Sequence, residues 1–393
     1  MLISLRRVIV CDCYYNSSEI DLLRYSINIV KRIVIDARES GTSTGRYVDK
    51  LIEHLYKIGS KHEFVIVAYP DRREFLKKIA PSYKMVETSY KEFSFGEQLG
   101  FKKQLKKLKA DLVFFPMVQQ PIMYRGAKVT AMLDLTTLRF RNPARNYFVF
   151  RTKQAAYYLV HVVAGRTSRQ IITISNFVRN DVSHTFHIPE SKITTTYNAA
   201  DKLAEKAVPI KVLQGKRYLL YVGRPSANKN LNRLVDAFAI LKKRNPDLIL
   251  VLAGKTDSEY EKLRAYARKK VGQGVLFTGF VSDGQLRWLY ENGSVYVFPS
   301  LSEGFGLPGL EAMQYELPVA SSNATCLPEI YQDAAHYFNP FSAQHMATKV
   351  QQILDDPKLA MRLIANGNKV LKKYSWRKMA DQTLAIFEKA MRT

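Results

Sequence analysis

Glu303 and Glu311 stand eight residues apart in Glu303-Gly304-Phe305-Gly306-Leu307-Pro308-Gly309-Leu310-Glu311, two carboxylates on either side of a glycine turn. Such a pair can serve as nucleophile and acid/base, or accept hydrogen bonds from a polyhydroxylated ligand. The spacing alone does not separate these uses from two solvated surface charges. The neighbouring residues add a shape. Val295-Tyr296-Val297-Phe298-Pro299 precedes as an apolar run, the glycines free backbone N–H groups to approach a ligand, and Pro308 opens an amphipathic segment. Proline is favoured in a first helical turn, where its missing N–H is no loss. The expected product is a strand, a glycine loop and a helix N-terminus, whose unpaired donors and positive dipole end suit phosphate or another oxygen-rich ligand.

A second cluster, Tyr221-Val222-Gly223-Arg224-Pro225-Ser226-Ala227-Asn228-Lys229-Asn230, places a glycine turn and two cations directly after another apolar run. Arg224 and Lys229 there can neutralise a diphosphate, whose negative charge rises as it becomes a leaving group. In one β/α series both loops can face a single crevice. The two cations would then clamp the ligand that Glu303 and Glu311 bracket, whereas a solvated loop is the plainer reading of either cation alone.

The elements that must position these residues follow from the apolar pattern. Strands are expected at Ile33 to Asp36, Phe64 to Tyr69, Leu112 to Phe115, Val129 to Leu133 and Ile171 to Ile174, with helices near Tyr47 to Ile58, Leu99 to Lys109 and Asn146 to Val163. The alternation restarts after a Lys/Ala/Pro-containing stretch around 202 to 216. Strands then fall at Tyr218 to Val222, Ile249 to Leu252, Val275 to Phe277, Val295 to Phe298 and Val319 to Ala320. Continuous apolar strands alternating with helices imply parallel sheets covered on both faces, with ligands at the carboxyl ends of strands. The expectation is α/β, two doubly wound Rossmann-like domains with a cleft between them. Their limits are 32–205 and 206–375, after an extension 1–31 to which no role is assigned and before a helix 376–393 that packs back across the junction.

Composition agrees with two cores, since 393 residues at 47% hydrophobic exceed what one core usually holds. No run of about 18 apolar residues is present, and the N-terminal stretch lacks the order of a secretory signal, so a cytoplasmic protein is expected. Cys11, Cys13 and Cys326 are read as reduced thiols. The formal charge is +25, and residues 98 to 180 hold fifteen Lys plus Arg against Asp111 and Asp134. Within that face, Phe101, Leu105 and Leu108 share one helical side among Lys102, Lys103, Lys106 and Lys107. Such a helix can lie on an anionic bilayer, or it can be a surface helix with its apolar stripe in the core.

The second half resembles glycosyltransferase family 4, retaining enzymes of GT-B architecture. The resemblance runs through Gly223-Arg224 with Lys229, Gly279-Phe280-Val281, Pro299 to Pro308, Glu311-Ala312-Met313, Leu317-Pro318-Val319 and Leu327-Pro328-Glu329. More weakly, Asp36-Ala37-Arg38 with Gly41 and Gly45-Arg46-Tyr47 resembles the family's opening loop, and Ile174-Ser175-Asn176 and Tyr197-Asn198 its later landmarks. The resemblance implies that Arg224 and Lys229 hold a donor diphosphate. It gives the donor-sugar hydroxyls to Glu303, the sugar and phosphate to the backbone of Gly304 and the N–H groups of Phe305, Gly306 and Leu307, and the ribose to Glu311. Backbone at Gly279, Phe280 and Val281 would lie against the base, with Gly223 turning the cation loop and the Gly41–Gly45 loop closing over the diphosphate. Many relatives carry His-Asp where this chain has Leu133-Asp134, which leaves Asp134 to orient the acceptor side or merely cap a turn.

The implied reaction moves a hexose, with retained configuration, from a nucleoside-diphosphate sugar to a glycan or lipid-linked acceptor hydroxyl in envelope polysaccharide or glycolipid assembly. GDP-mannose is the first expectation for the donor and a UDP-sugar the second. No further cofactor is expected, and no metal, since Asp-x-Asp does not occur. An anionic membrane surface is a further partner, which would put the protein on the inner face of the cytoplasmic membrane. A nicotinamide dehydrogenase is disfavoured because Gly41-Thr42-Ser43-Thr44-Gly45 is not Gly-x-Gly-x-x-Gly. A basic nucleic-acid-binding protein lacks a recognised reading module. A sugar-nucleotide-binding protein without catalysis stays open because of Leu133.

Overall fold

The computed structural model describes residues 30–42, 45–140 and 147–392. Expectations for residues 1–29, including a short strand at Val8-Ile9-Val10 and the thiols of Cys11 and Cys13, lie outside those residues, as do Ser43, Thr44 and the start of a helix at Asn146.

Seven parallel strands form the first sheet: β1 (Arg32–Asp36), β2 (Glu63–Ala68), β3 (Lys84–Glu87), β4 (Leu112–Phe115), β5 (Lys128–Ala131), β6 (Gln170–Thr173) and β7 (Ile193–Thr195). Their spatial order is β3-β2-β1-β4-β5-β6-β7. Six more parallel strands, β8 (Tyr218–Val222), β9 (Ile249–Ala253), β10 (Val275–Gly279), β11 (Val295–Phe298), β12 (Val319–Ser322) and β13 (Ala335–Phe338), are ordered β10-β9-β8-β11-β12-β13. Both orders reverse after the first strand of the series, the doubly wound pattern, and the pairing of two such domains is the GT-B architecture.

The apolar runs explain why these strands form. In β1, Ile33 and Ile35 enter one core with Leu51 and Leu55 of the Arg46–Ile58 helix, while Val34 points to the other face and packs with Val65, Val113, Phe101 and Leu105. A parallel strand covered by helices on both faces needs apolar residues at every position, which is what Ile33-Val34-Ile35 provides.

That second face settles the lysine-rich helix. Phe101 and Leu105 are fully buried under the first sheet and Leu108 packs against the same cluster, so the stripe that a bilayer would have to receive is already covered. The expectation of a helix lying in the membrane surface through Phe101, Leu105 and Leu108 is thereby corrected. Lys103, Lys106 and Lys107 are exposed and Lys102 half-buried around a helix docked on its own sheet.

The last helix, Trp376–Arg392, follows the second series but packs on the first. Phe387 meets Phe114 of β4 with ring centroids 5.0 Å apart, and Arg169 donates to the Ala390 carbonyl at 2.7 Å.

Candidate active site

Loops leaving β8 and β11 are neighbours because the strands pair directly, Leu219 with Val295 and Leu220 with Tyr296. This is the switch point of the second sheet, where an open α/β sheet has its crevice. The two loops are stitched together. Leu301 N–H donates to Asn228 O at 2.7 Å, and Asn228 Nδ2 to Ser302 O at 3.0 Å. Lys229 is thereby presented to Glu303, Nζ to Oε1 at 2.6 Å, with the ammonium 5.6 Å from the Phe298 ring centroid.

The glycine turn has two separate physical causes. Gly306, at φ +91°, caps the Leu307–Gln314 helix in the left-handed region and accepts from the Tyr331 hydroxyl, whose oxygen would lie 2.5 Å from a Cβ there. Gly304 is required by the other domain: a Cβ at this position would stand 2.2 Å from the Leu133 carbonyl oxygen. Pro308 occupies the first turn of the helix. The first N–H groups of such a helix have no partner within it.

Glu311, on the same helix, accepts from the Tyr290 hydroxyl at 3.1 Å and pairs with Arg46 of the first domain. Tyr290 is buried and stacked on Tyr315 at 5.5 Å, and burial, followed by the Glu311 charge, raises its pKa well above the ordinary phenol value. It stays a neutral donor. A carboxylate has about four lone-pair sites, so two remain for a ligand's hydroxyls.

Arg224 is placed differently from Lys229. Its side chain is 69% exposed and pairs with Asp257 at 2.9 Å, beyond the end of β9, instead of joining Glu303. Gly279 (φ +68°) follows a register shift in the β9–β10 pairing and donates to the Tyr260 hydroxyl at 3.0 Å. The turn leaves Phe280 84% exposed beside half-buried Val281. The Phe305 side chain is buried and packs edge-on to Tyr374 at 5.5 Å, so only its backbone faces the crevice.

From the first domain, Gly41 donates its N–H to Asp49 Oδ2 at 3.0 Å, and Gly45 leads into the helix that carries Arg46. Asp134 follows β5. Its carboxylate is open to the cleft and accepts the Thr136 N–H at 3.0 Å, the turn-capping role weighed for it. Enclosure between the domains raises its pKa, and the Glu303 carboxylate adds to this against the opposing Thr136 N–H and Lys229. A carboxylate held near a second one and biased toward its protonated form can accept, hold or return a proton. Leu133 packs against the core and offers only its carbonyl.

Beyond the last helix, sequence reasoning missed the polar seam that joins the domains. Glu329 accepts the N–H groups of Asn176 (2.7 Å) and Phe177 (2.8 Å), the first turn of the Asn176–Phe186 helix, and the Tyr197 hydroxyl at 2.9 Å. Ser175 adds a bond to the Gly304 carbonyl at 2.8 Å. The signal was present in three separate motifs, at Ser175-Asn176, Tyr197 and Glu329, which only the fold brings together. Among the described residues no three His, Cys, Asp or Glu side chains converge as metal ligands would, and no helix is long and apolar enough to cross a membrane.

Two family models match the chain: Glycosyltransferase Family 4 over residues 44–202 and Glycosyl transferases group 1 over 204–370. The O-antigen chain mannosyltransferase B of Escherichia coli is 30% identical over 235 residues, 56% of this chain. That stretch spans 61% of the relative's length, so the match is with part of it. Among solved structures, a glycosyltransferase from Rickettsia africae superposes with TM-score 0.69 at 17% identity, covering 93% of this chain and 99% of that one. Anabaena HepE in complex with UDP and glucose gives TM-score 0.69 at 15% identity, covering 92% and 100%.

Proposed function

We propose, on the premise that this chain belongs to the group 1 glycosyltransferases of family 4, that it moves a hexose from a nucleoside-diphosphate sugar to an acceptor hydroxyl with retained configuration. The observation that carries this is one crevice holding the Lys229–Glu303 pair, a glycine-capped helix N-terminus and the half-satisfied carboxylate of Glu311. Lys229 and the N–H groups of Phe305, Gly306 and Leu307 receive the diphosphate, joined by Arg224 when it turns from Asp257. Charge develops on that diphosphate as the bond from the anomeric carbon to the phosphate oxygen breaks, and fixed donors aimed there stabilise it more than they stabilise the ground state. Glu303 holds the sugar hydroxyls, Glu311 the ribose, and the exposed Phe280 ring lies against the base, with Gly279 and Val281 beside it.

The acceptor oxygen attacks from the side the diphosphate leaves, and its proton passes to the departing phosphate oxygen. Asp134 orients the acceptor at the first-domain wall. No step in this scheme is routed through a metal. GDP-mannose is the first donor to test, in keeping with the E. coli relative being a mannosyltransferase, and a UDP-sugar the second, in keeping with the ligand of Anabaena HepE. The acceptor is a glycan or lipid-linked glycan of the cell envelope. The exposed lysines Lys103, Lys106 and Lys107 draw the first domain toward an anionic bilayer through charge alone.

A thermal-shift screen of nucleotide sugars tests the reading, because a ligand selective for the native state raises its melting temperature by mass action. GDP-mannose should give the largest shift and support transfer or slow hydrolysis. A shift without turnover on any acceptor favours a binding protein that lacks catalysis, the reading that Leu133 keeps in view. No shift with any nucleotide sugar contradicts both.

A further inference from the structure

The first domain contains a cavity of about 670 Å³ that the donor chemistry does not use. Its volume is in the range of small-molecule sites. Phe95, Ile122, Phe140, Phe150, Tyr157 and Val160 make the lining mostly apolar. Its lining includes Thr137, three residues past Asp134, and Tyr157, whose hydroxyl feels the Asp134 charge. Phe95, also on the lining, is 90% exposed, so the apolar lining runs out to the surface instead of closing on itself.

The wall is held in place. Arg38, 3% exposed, pairs with Asp36 at 2.7 Å and with Glu97 at 2.9 Å, and lies 3.9 Å from the Phe101 ring centroid. Glu97 in turn accepts the Phe93 N–H at 3.0 Å and holds Phe93 at φ +58°, a conformation that a bulky residue avoids unless its surroundings impose it. Gln120 braces the wall from behind. Gln120 is 1% exposed and its Nε2 donates to Thr130 Oγ1 at 3.0 Å, but its Oε1 has no partner among the described residues.

We infer that this cavity holds the hydrocarbon chain of an amphiphilic acceptor, whose hydroxyl-bearing head lies at the Asp134 end and whose chain leaves past Phe95. The inference deepens the acceptor side of the proposed function and rests on it. An acceptor that is a sugar alone would leave most of the apolar lining against water. An alkyl chain removes that surface from water, and burial of apolar area in a preformed site gives a negative heat-capacity change.

Calorimetric titration of the full chain with alkyl β-mannosides from methyl to dodecyl, each kept below its micelle concentration, reads this without turnover. The dodecyl compound should bind at least tenfold tighter than the methyl one, with a negative heat-capacity change. Ala156→Trp, at an exposed lining position, and Phe95→Asp should each remove fivefold or more of that advantage while leaving GDP and UDP affinity unchanged. Equal affinities across the series overturn the inference, and so does an advantage that survives Ala156→Trp, which would place the chain on the outer aromatic surface and not in the cavity. Chain-length dependence without binding of any nucleotide or nucleotide sugar would overturn the transferase reading while the cavity assignment stands.

Discussion

The carboxyl ends of the two sheets are built from opposite materials. At the second sheet, charges meet in pairs: Lys229 with Glu303 and Arg224 with Asp257 on loops held close by glycine and by backbone bonds, and Glu311 of the following helix with Arg46 of the first domain. At the first sheet Asp134 stands by a mostly apolar cavity whose wall is braced by the buried Asp36–Arg38–Glu97 cluster. The contrast teaches a division of labour. A leaving diphosphate needs fixed charge at known points, and that end has it. An acceptor needs shape and a place for its chain, and the other end supplies those.

The strongest way to break this comparison is to remove the charge that acts at the sugar. Glu303→Ala should lower kcat by roughly 10²- to 10³-fold, the usual loss of one fixed transition-state partner, with donor KM changed only a few-fold. Steady-state kinetics on the donor found by the screen checks it, and an unchanged kcat would remove Glu303 from the chemistry. Next in size is the contact where the two ends touch. Gly304→Ala drives a methyl toward the Leu133 carbonyl oxygen, 2.2 Å away, so the domains must part or the loop must shift. A loss of about 1–3 kcal/mol in chemical denaturation is expected, with kcat reduced alongside. Wild-type stability and turnover would show that the seam is looser than drawn.

The smallest effect sharpens the contrast from the apolar side. His161, packed against Tyr157 and stacked on Phe186 at 5.0 Å, has its pKa pushed down by burial to about 4, with the bond to the Tyr157 carbonyl opposing. The unfolded chain takes up this proton near the ordinary pKa of about 6.5 while the folded chain refuses it until about pH 4. Its contribution to stability is therefore whole above pH 6.5 and lost as the pH falls from there toward 4. The unfolding free energy across that window should decline, by up to about 1.4 kcal/mol per pH unit for this group. His161→Phe should flatten the decline, and an identical slope in the variant would mean that other groups produce it.

How much of this was legible in the sequence differs between the two ends for a physical reason. Ile33-Val34-Ile35 and the similar runs declare strands buried on both faces, so the doubly wound series can be read directly. Glu303 and Lys229 lie in short motifs after neighbouring strands, and adjacency at the switch point brings them together. Arg224 was expected to join them but turns to Asp257, because a long exposed side chain is directed by the anions within reach and not by its place in the loop. The stripe of Phe101, Leu105 and Leu108 was visible as periodicity, but periodicity cannot say whether lipid or a sheet covers it. Glu329 meets Asn176 and Tyr197 across 153 and 132 residues of chain, and the cavity takes residues from 93 to 160. No local pattern encodes such gatherings.

Binding of nucleotide and nucleotide sugar to the two glutamate variants tests the central claim most directly. In calorimetry with GDP and GDP-mannose, or the matching pair from the donor screen, Glu311→Ala should weaken both ligands about tenfold or more, since both carry the ribose. Glu303→Ala should leave the nucleotide's affinity intact and abolish only the increment that the sugar adds. Equal losses for both ligands in both variants would contradict the assignment of one grip to the sugar and the other to the ribose.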